Sequence, residues 1–172
     1  DEIIAVTGGL GPYLAKPVTE DTPDIVFCNG YEIVQQLDNE ADFDFTQPVL
    51  SQRATWYAAK RYSKPLIGRV PIYWQSGFAT AANATLGKSE VAADAPLLLH
   101  LHRIDFKFAV HQHRLWAGRR WPPLAQLSDC YEHNRLEDPE AVRRWWYTSA
   151  DDPGKPAPLV PIPQDLREGL VI

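Results

Sequence analysis

No methionine occurs anywhere in the 172 residues, position 1 included. A translated chain starts with Met, so Asp1 is not expected to be the start of a gene product. The chain is read as the C-terminal part of a longer protein, cut near a functional motif. Cysteine is nearly as scarce. Cys28 and Cys130 are the only two, and they make neither a metal nor a disulfide pattern, so two reduced thiols are expected. No apolar run approaches the roughly 18 residues that a membrane helix needs. Positive charge is also in deficit: 17 Lys and Arg against 22 Asp and Glu leave a net charge of -5. That supplies no global basic field, so no nucleic acid partner is expected.

What is present has the balance of an ordinary globular domain, 45% hydrophobic and 23% charged. It is long enough to bury a core without metal or disulfide staples. Residues 3–6 read as a short buried strand stopped by Gly8-Gly9, and residues 10–16 as a short helix ended by Pro17. Residues 24–36 read as a long strand, broken or bulged at Asn29-Gly30. An acidic surface loop follows over 37–47, with Phe43 and Phe45 as anchors. Residues 50–62 fit helix or strand. Residues 64–70 form a β-branched strand with Pro71 at its edge, and 74–96 a long loop rich in Gly, Ala, Ser and Thr.

The strongest strand is 97–104, LLLHLHRI. Asp105 then caps a helix running to Gly118, which takes the C′ position. Asp138-Pro139-Glu140 opens a second helix with Pro at its first position. From Asp151 the chain is rich in Pro and is expected to lie as an extended tail along the surface. The fold class expected is α/β, with a domain over 1–150 and a tail over 151–172.

Five groups of residues could carry chemistry. His100 and His102 are two apart in a strand, so they share a face, while Leu99 and Leu101 take the other. Near the C-terminal edge of an α/β sheet they suit a metal or a phosphate. The plainer alternative is two histidines hydrogen-bonded within a half-buried face. Asp1-Glu2, at the edge of a strand, could hold a hard divalent cation or be a solvated pair. Lys64, with Arg61 and Arg69 nearby, could neutralise a phosphate or leaving group or simply flank its strand. Trp74, Gly77 and Phe78 combine rings that stack on sugars with a glycine that admits close approach, or they anchor the loop. The helix carrying Arg143, Arg144, Trp145 and Trp146 could sit at a membrane surface or pack its two Trp into the core. His111 and His113 face different sides of their helix and form no joint site.

Taken in order, these pieces resemble the C-terminal part of bacterial glycosyltransferases of the GT-A fold, in the broad family 2-like group. Asp1-Glu2-Ile3-Ile4 is similar to the end of an Asp-x-Asp-Glu-Phe motif, with Ile3 where Phe is usual. A short helix, a long strand and an acidic stretch lead to Pro48-Val49-Leu50-Ser51-Gln52-Arg53. Then come Tyr62-Ser63-Lys64-Pro65-Leu66-Ile67, the step from Arg69 to Pro71, Trp74 with Gly77-Phe78, and LLLHLHRID over 97–105. Arg119-Arg120-Trp121 and Pro161-Ile162-Pro163 complete the series. Ala79 stands where such relatives carry His.

The resemblance implies a partial GT-A sheet with flanking helices. It implies a nucleotide-sugar donor, a saccharide or glycan acceptor, and Mg²⁺ or Mn²⁺ as cofactor. In that reading Asp1 ligates the metal and His102 is the preferred further ligand. Lys64, His100 and Arg103 form the catalytic set, and Trp74, Gly77 and Phe78 bind substrate. The base is Glu32, Asp42, Asp44 or Asp105. The location implied is cytoplasmic, with peripheral association at the inner face of the membrane, and the chain as it stands is expected to be inactive. Two other readings are a non-catalytic carbohydrate-binding module using Trp56, Trp74 and Phe78, and a metal-dependent hydrolase using His100, His102 and an Asp.

Overall fold

The computed structural model describes residues 2–6, 8–75, 80–83, 95–119, 136 and 138–169. Along the chain run β1 (Glu2–Ala5), α1 (Leu10–Leu14), β2 (Ile25–Val34), β3 (Thr55–Ala58), β4 (Lys64–Gly68) and β5 (Leu97–Arg103). They are followed by α2 (Phe106–Ala117), α3 (Pro139–Trp146), β6 (Val160–Pro161) and α4 (Gln164–Gly169). The strands make one mixed sheet in the order β1-β5-β2-β3-β6, with β4 paired to the first half of β2. Strand β5 is antiparallel to β1 and parallel to β2. The class is α/β with a mixed sheet and few helices. Among the described residues, no helix is long and apolar enough to cross a membrane.

Strand β5 lies between two neighbours and is covered on both faces, which is why its sequence is so nearly continuous in apolar residues. One face collects Ala5, Ile33, Trp56, Leu99, Ile104 and Ile162, with Tyr31 stacked on Trp56 at 4.2 Å. The other face carries Val34 and Tyr57 against Ala109 of α2 and Val142 and Trp146 of α3. The helices therefore cover the face that bears His100 and His102, and the Leu99 face is closed by Leu50 and the C-terminal segment.

Both long helices start where a side chain can replace missing backbone partners. Asp105 accepts the Phe108 N–H at 2.7 Å, and its second oxygen accepts the Phe43 N–H at 2.8 Å. One carboxylate thus caps α2 and pins the acidic loop. Asp138 accepts the Glu140 N–H at 3.1 Å, with Pro139 at the first turn. Arg143 and Arg144 lie in the last turn of α3, where cations suit the helix dipole.

Four expectations need correction. Strand β2 runs unbroken through Asn29-Gly30, and its register shifts fall at Val26/Phe27 and Glu32/Val34 instead. The irregularity at Gly30 belongs to the partner edge. There β3 and β4 are joined by the 3₁₀ turn Lys60–Tyr62, and a Cβ on Gly30 would sit 2.4 Å from the Tyr62 carbonyl carbon. Only glycine admits that approach. Gly118 closes α2 with φ -74, an ordinary helical value, not the left-handed one expected of a C′ glycine. The segment over 50–62 is neither one helix nor one strand but a 3₁₀ turn, β3 and a second turn. The Pro-rich tail is more than an extended surface strap. Its β6 pairs with β3, Ile162 is buried in the core, and α4 follows.

Candidate functional site

A polar row crosses the helix-covered face of the sheet. Glu2 of β1 is the register partner of His100 on β5, His100 is the partner of Glu32 on β2, and Glu32 is the partner of Tyr57 on β3. Directly opposed residues on neighbouring strands share a face and lie within reach of each other. Four strands thus bring two carboxylates, an imidazole and a phenol into one line.

Glu32 is the centre of the row and is wholly buried. A carboxylate there is tolerated only if donors surround it. His100 Nδ1 lies 3.0 Å from its Oε2, and the Arg103 N–H donates to its Oε1 at 3.3 Å. The Tyr62 hydroxyl donates to it as well, and the Arg103 guanidinium stands 3.9 Å away. Burial pushes the Glu32 carboxyl up, but the charge and hydrogen bond of His100, the Arg103 charge and the Tyr62 hydroxyl outweigh it, so it stays below the ordinary carboxylate range. The reverse holds for Tyr62. Burial and then the Glu32 charge push its hydroxyl far up, so it serves only as a neutral donor.

The ring of Tyr62 also stacks on the His100 imidazole, with centroids 4.0 Å apart and planes 12° from parallel. The stacking depends on the close passage at Gly30, which brings the backbone of the Lys60–Tyr62 turn down onto β2. Ser63 completes it by accepting the Gly30 N–H at 3.1 Å. The sequence puts a glycine in a central strand, the glycine admits a turn, and the turn lays a phenol over an imidazole.

The predicted residues separate into three groups. His100, Arg103 and Lys64 come together around this row. Lys64 is the register partner of Cys28 and reaches across the face to form an ion pair with Glu2 at 2.5 Å. Arg103 is turned inward. It donates to the carbonyls of Trp146 and Thr148 at 3.0 and 2.5 Å, and its guanidinium lies 3.9 Å from the Trp145 ring centroid. It ties the end of β5 to the C-terminus of α3. His102 shares the face of His100 but belongs to a second, aromatic cluster. Its ring stacks on that of His113 at 4.9 Å and meets Trp116 and Trp145 at 4.9 and 5.0 Å. His113 is fully buried. Trp74 is not part of this row; it is bridged to Ala81 and partly exposed. Asp1, Gly77, Phe78 and Ala79 lie outside the described residues, as do Arg120, Trp121 and Cys130.

Of the four candidate bases, Glu32 alone joins the row. Asp42 pairs with Lys107 at the surface at 2.6 Å. Asp44 holds the N–H and hydroxyl of Thr46 in a local turn. Asp105 is engaged as the cap of α2. Trp145 and Trp146 turn toward the core, and Arg143 sits over the Phe106 ring at 5.2 Å. Burial raises the Cys28 thiol to about 11, which keeps it unreactive at neutral pH.

A divalent cation needs several oxygen or imidazole ligands converging on one point. Among the described residues no three His, Cys, Asp or Glu side chains converge in that way. Glu2 is committed to Lys64, Glu32 to His100 and Arg103, and His102 to its aromatic neighbours. The described residues therefore do not form a cation site by themselves.

Sequence reasoning passed over three features of this site: the pairing of Glu2 with Lys64, the seat of Glu32 beside His100, and the ring of Tyr62. A signal for Glu32 was present. It is an acid within the apolar run IVFCNGYEIV of a long strand, and such an acid must find donors on a neighbouring strand. No family model, no curated protein and no solved structure matches this chain.

Proposed function

We propose that this chain is the acceptor-side part of a metal-dependent GT-A glycosyltransferase, which moves a sugar from a nucleotide-diphospho-sugar to a saccharide or surface-polymer acceptor. The observation that carries the reading is the pairing of Glu2 with His100. The strand that resembles the end of the acidic motif lies directly against the His-Leu-His-Arg strand. Two pieces of the resemblance, far apart in the chain, are therefore neighbours on one face, with Lys64 of the Ser-Lys-Pro piece bonded to the first of them.

In this reaction the acceptor hydroxyl oxygen bonds to the anomeric carbon, and the anomeric C–O bond to the diphosphate breaks. The nucleoside diphosphate leaves with the electron pair, and the hydroxyl proton passes to a base. Lys64, a partly exposed ammonium at the edge of the row, is suited to oppose charge developing on the leaving group. His100 is the imidazole that can take or hold a proton nearby. Mg²⁺ or Mn²⁺, ligated by Asp1, belongs to the proposal and would supply charge neutralisation at the diphosphate. The location proposed is cytoplasmic, at the inner face of the membrane.

The test is a screen of nucleotide sugars with Mn²⁺ on the intact gene product, following release of the nucleoside diphosphate with and without glycan acceptors. Release is expected for at least one donor, and His100→Ala should reduce it about a hundredfold. Intact donors throughout the screen would set the reading aside. The exposure of Tyr73 and Trp74 favours the second reading, a carbohydrate-binding module. Glycan binding that needs Trp74, in a protein inert toward every donor, would establish it.

A further inference from the structure

We propose that Glu32 is a positioning residue for His100: together with the stacked Tyr62 ring it fixes the imidazole as the Nδ1–H tautomer and leaves the lone pair on Nε2. The inference rests on the functional reading above for what His100 then does, but its geometry stands alone.

Three observations converge on it. The Nδ1 of His100 is 3.0 Å from Glu32 Oε2. A carboxylate can only accept, so Nδ1 must carry the proton. The other oxygen of Glu32 is held by the Arg103 N–H at 3.3 Å. That backbone donor cannot change its role, so the carboxylate is locked in orientation. The Tyr62 ring lies nearly parallel to the imidazole at 4.0 Å, which opposes rotation of the ring out of line. A carboxylate that holds one nitrogen of a histidine decides what the other nitrogen can do. In a merely structural pair the tautomer would have no consequence. In a site where His100 takes a proton or contacts a phosphate or metal, it decides whether Nε2 accepts or donates.

Glu32→Gln separates these cases. The amide offers one acceptor and one donor where the carboxylate offered two acceptors. The Arg103 N–H can only donate, so the amide oxygen must face it and the NH₂ must face His100. Nδ1 would then accept, and the proton would move to Nε2. The experiment is ¹⁵N NMR of histidine-labelled protein on the alkaline side, where the neutral imidazole is read, with His100 assigned by His100→Gln. Wild type should show a protonated Nδ1 and an unprotonated Nε2, and Glu32→Gln the reverse. A wild-type Nε2 that carries a proton, or a tautomer unchanged in Glu32→Gln, overturns the proposal. Should Glu32→Gln fail to fold, the wild-type spectrum alone decides. Tyr62→Phe then serves as companion, and it should retain the Nδ1–H form, because the ring stack survives.

Activity separates this inference from the functional reading. With the tautomer switched, kcat for the accepted nucleotide sugar should fall about tenfold to a hundredfold while KM changes little. A switched tautomer with undiminished kcat overturns the positioning role. A wild-type protein with the expected tautomer but no activity on any donor overturns the functional reading and leaves the Glu32–His100 geometry standing.

Discussion

The two faces of one sheet solve opposite problems. Around Leu99, Ile33, Trp56 and Ala5, one face gathers hydrocarbon and aromatic surface, with the buried Arg53 bonded at its margin to the Ile104 carbonyl, and what holds it is mainly area removed from water. The other face of the same strands buries Glu32, Arg103, His100 and His102 beneath two helices. There each charge must find its partner or destabilise the fold. Leu99 and His100 are adjacent in sequence and nearly equal in burial, yet the first tolerates any apolar neighbour and the second only a specific one. An apolar face can be repacked, whereas a face of paired charges sets geometry. That is why the site is sought on the second.

Removing one member of each face should separate them most sharply. Glu32→Ala leaves the Arg103 guanidinium and the donors of His100 and Tyr62 buried without their acceptor, and should cost about 3–5 kcal/mol. Leu99→Ala leaves a cavity and should cost about 2–5 kcal/mol. Urea unfolding of both variants checks the values, but the replacements distinguish the faces. Leu99→Met should recover most of the loss, because volume is what was removed. Glu32→Leu should recover little, since it returns apolar volume but no acceptor. Full recovery by leucine would show that the polar face is held by packing after all.

The next effect concerns acid. The Glu32 carboxyl is held below its ordinary value of 4.5 in the folded chain. A carboxyl depressed by folding contributes stability that is fully present above its unfolded value and is lost as pH falls through its folded one. Wild type should therefore lose stability below about pH 4.5 in part through Glu32, and Glu32→Gln should lack that part. Thermal midpoints of both, followed downward from neutral pH, should converge. Leu99→Ala should run parallel to wild type over the same range. A gap between wild type and Glu32→Gln that is constant with pH would mean that Glu32 does not titrate with the fold.

Much of this was legible in the chain. The same-face placement of His100 and His102 follows from the period of two in LLLHLHRI, and the caps Asp105 and Asp138 from their residue types and spacing. The partners were not. Glu32 meets His100 because β2 and β5 are parallel neighbours, and that pairing is decided by the whole sheet. The Pro-rich tail misled because proline discourages a central strand but not a short edge one, and Val160–Pro161 sits at the edge on β3. Gly30 could be read as a bulge from sequence. That it serves a neighbouring turn could not, because the neighbour lies 30 residues on.

Within the polar face, the two histidines should part company. His102 is packed among His113, Trp116 and Trp145, so His102→Ala should cost about 2 kcal/mol of stability through lost packing. Specific activity of the folded fraction should change little. His100→Ala should do the reverse and lower kcat about a hundredfold. Midpoint and activity measured on the same preparations decide. A large kcat loss in His102→Ala with an unchanged midpoint would restore His102 to the ligand role that the sequence suggested for it.

The smallest stability effect belongs to Lys64, and its smallness makes it informative. The Lys64–Glu2 pair retains about a fifth of its side-chain exposure on each partner, and water and salt screen it. Pairs of that kind contribute roughly 0–1 kcal/mol. Lys64→Ala should thus leave the midpoint within a degree or two of wild type, and Lys64→Met should be indistinguishable from it. Any loss of turnover then cannot be assigned to folding. An ammonium that opposes leaving-group charge should cost about tenfold or more in kcat on removal, and Glu2→Gln, which frees the same ammonium from its partner, should not reproduce that loss. Equal losses from Lys64→Ala and Glu2→Gln would mean that the ion pair itself matters, as a strut between β1 and β4, and that Lys64 has no separate part in the chemistry.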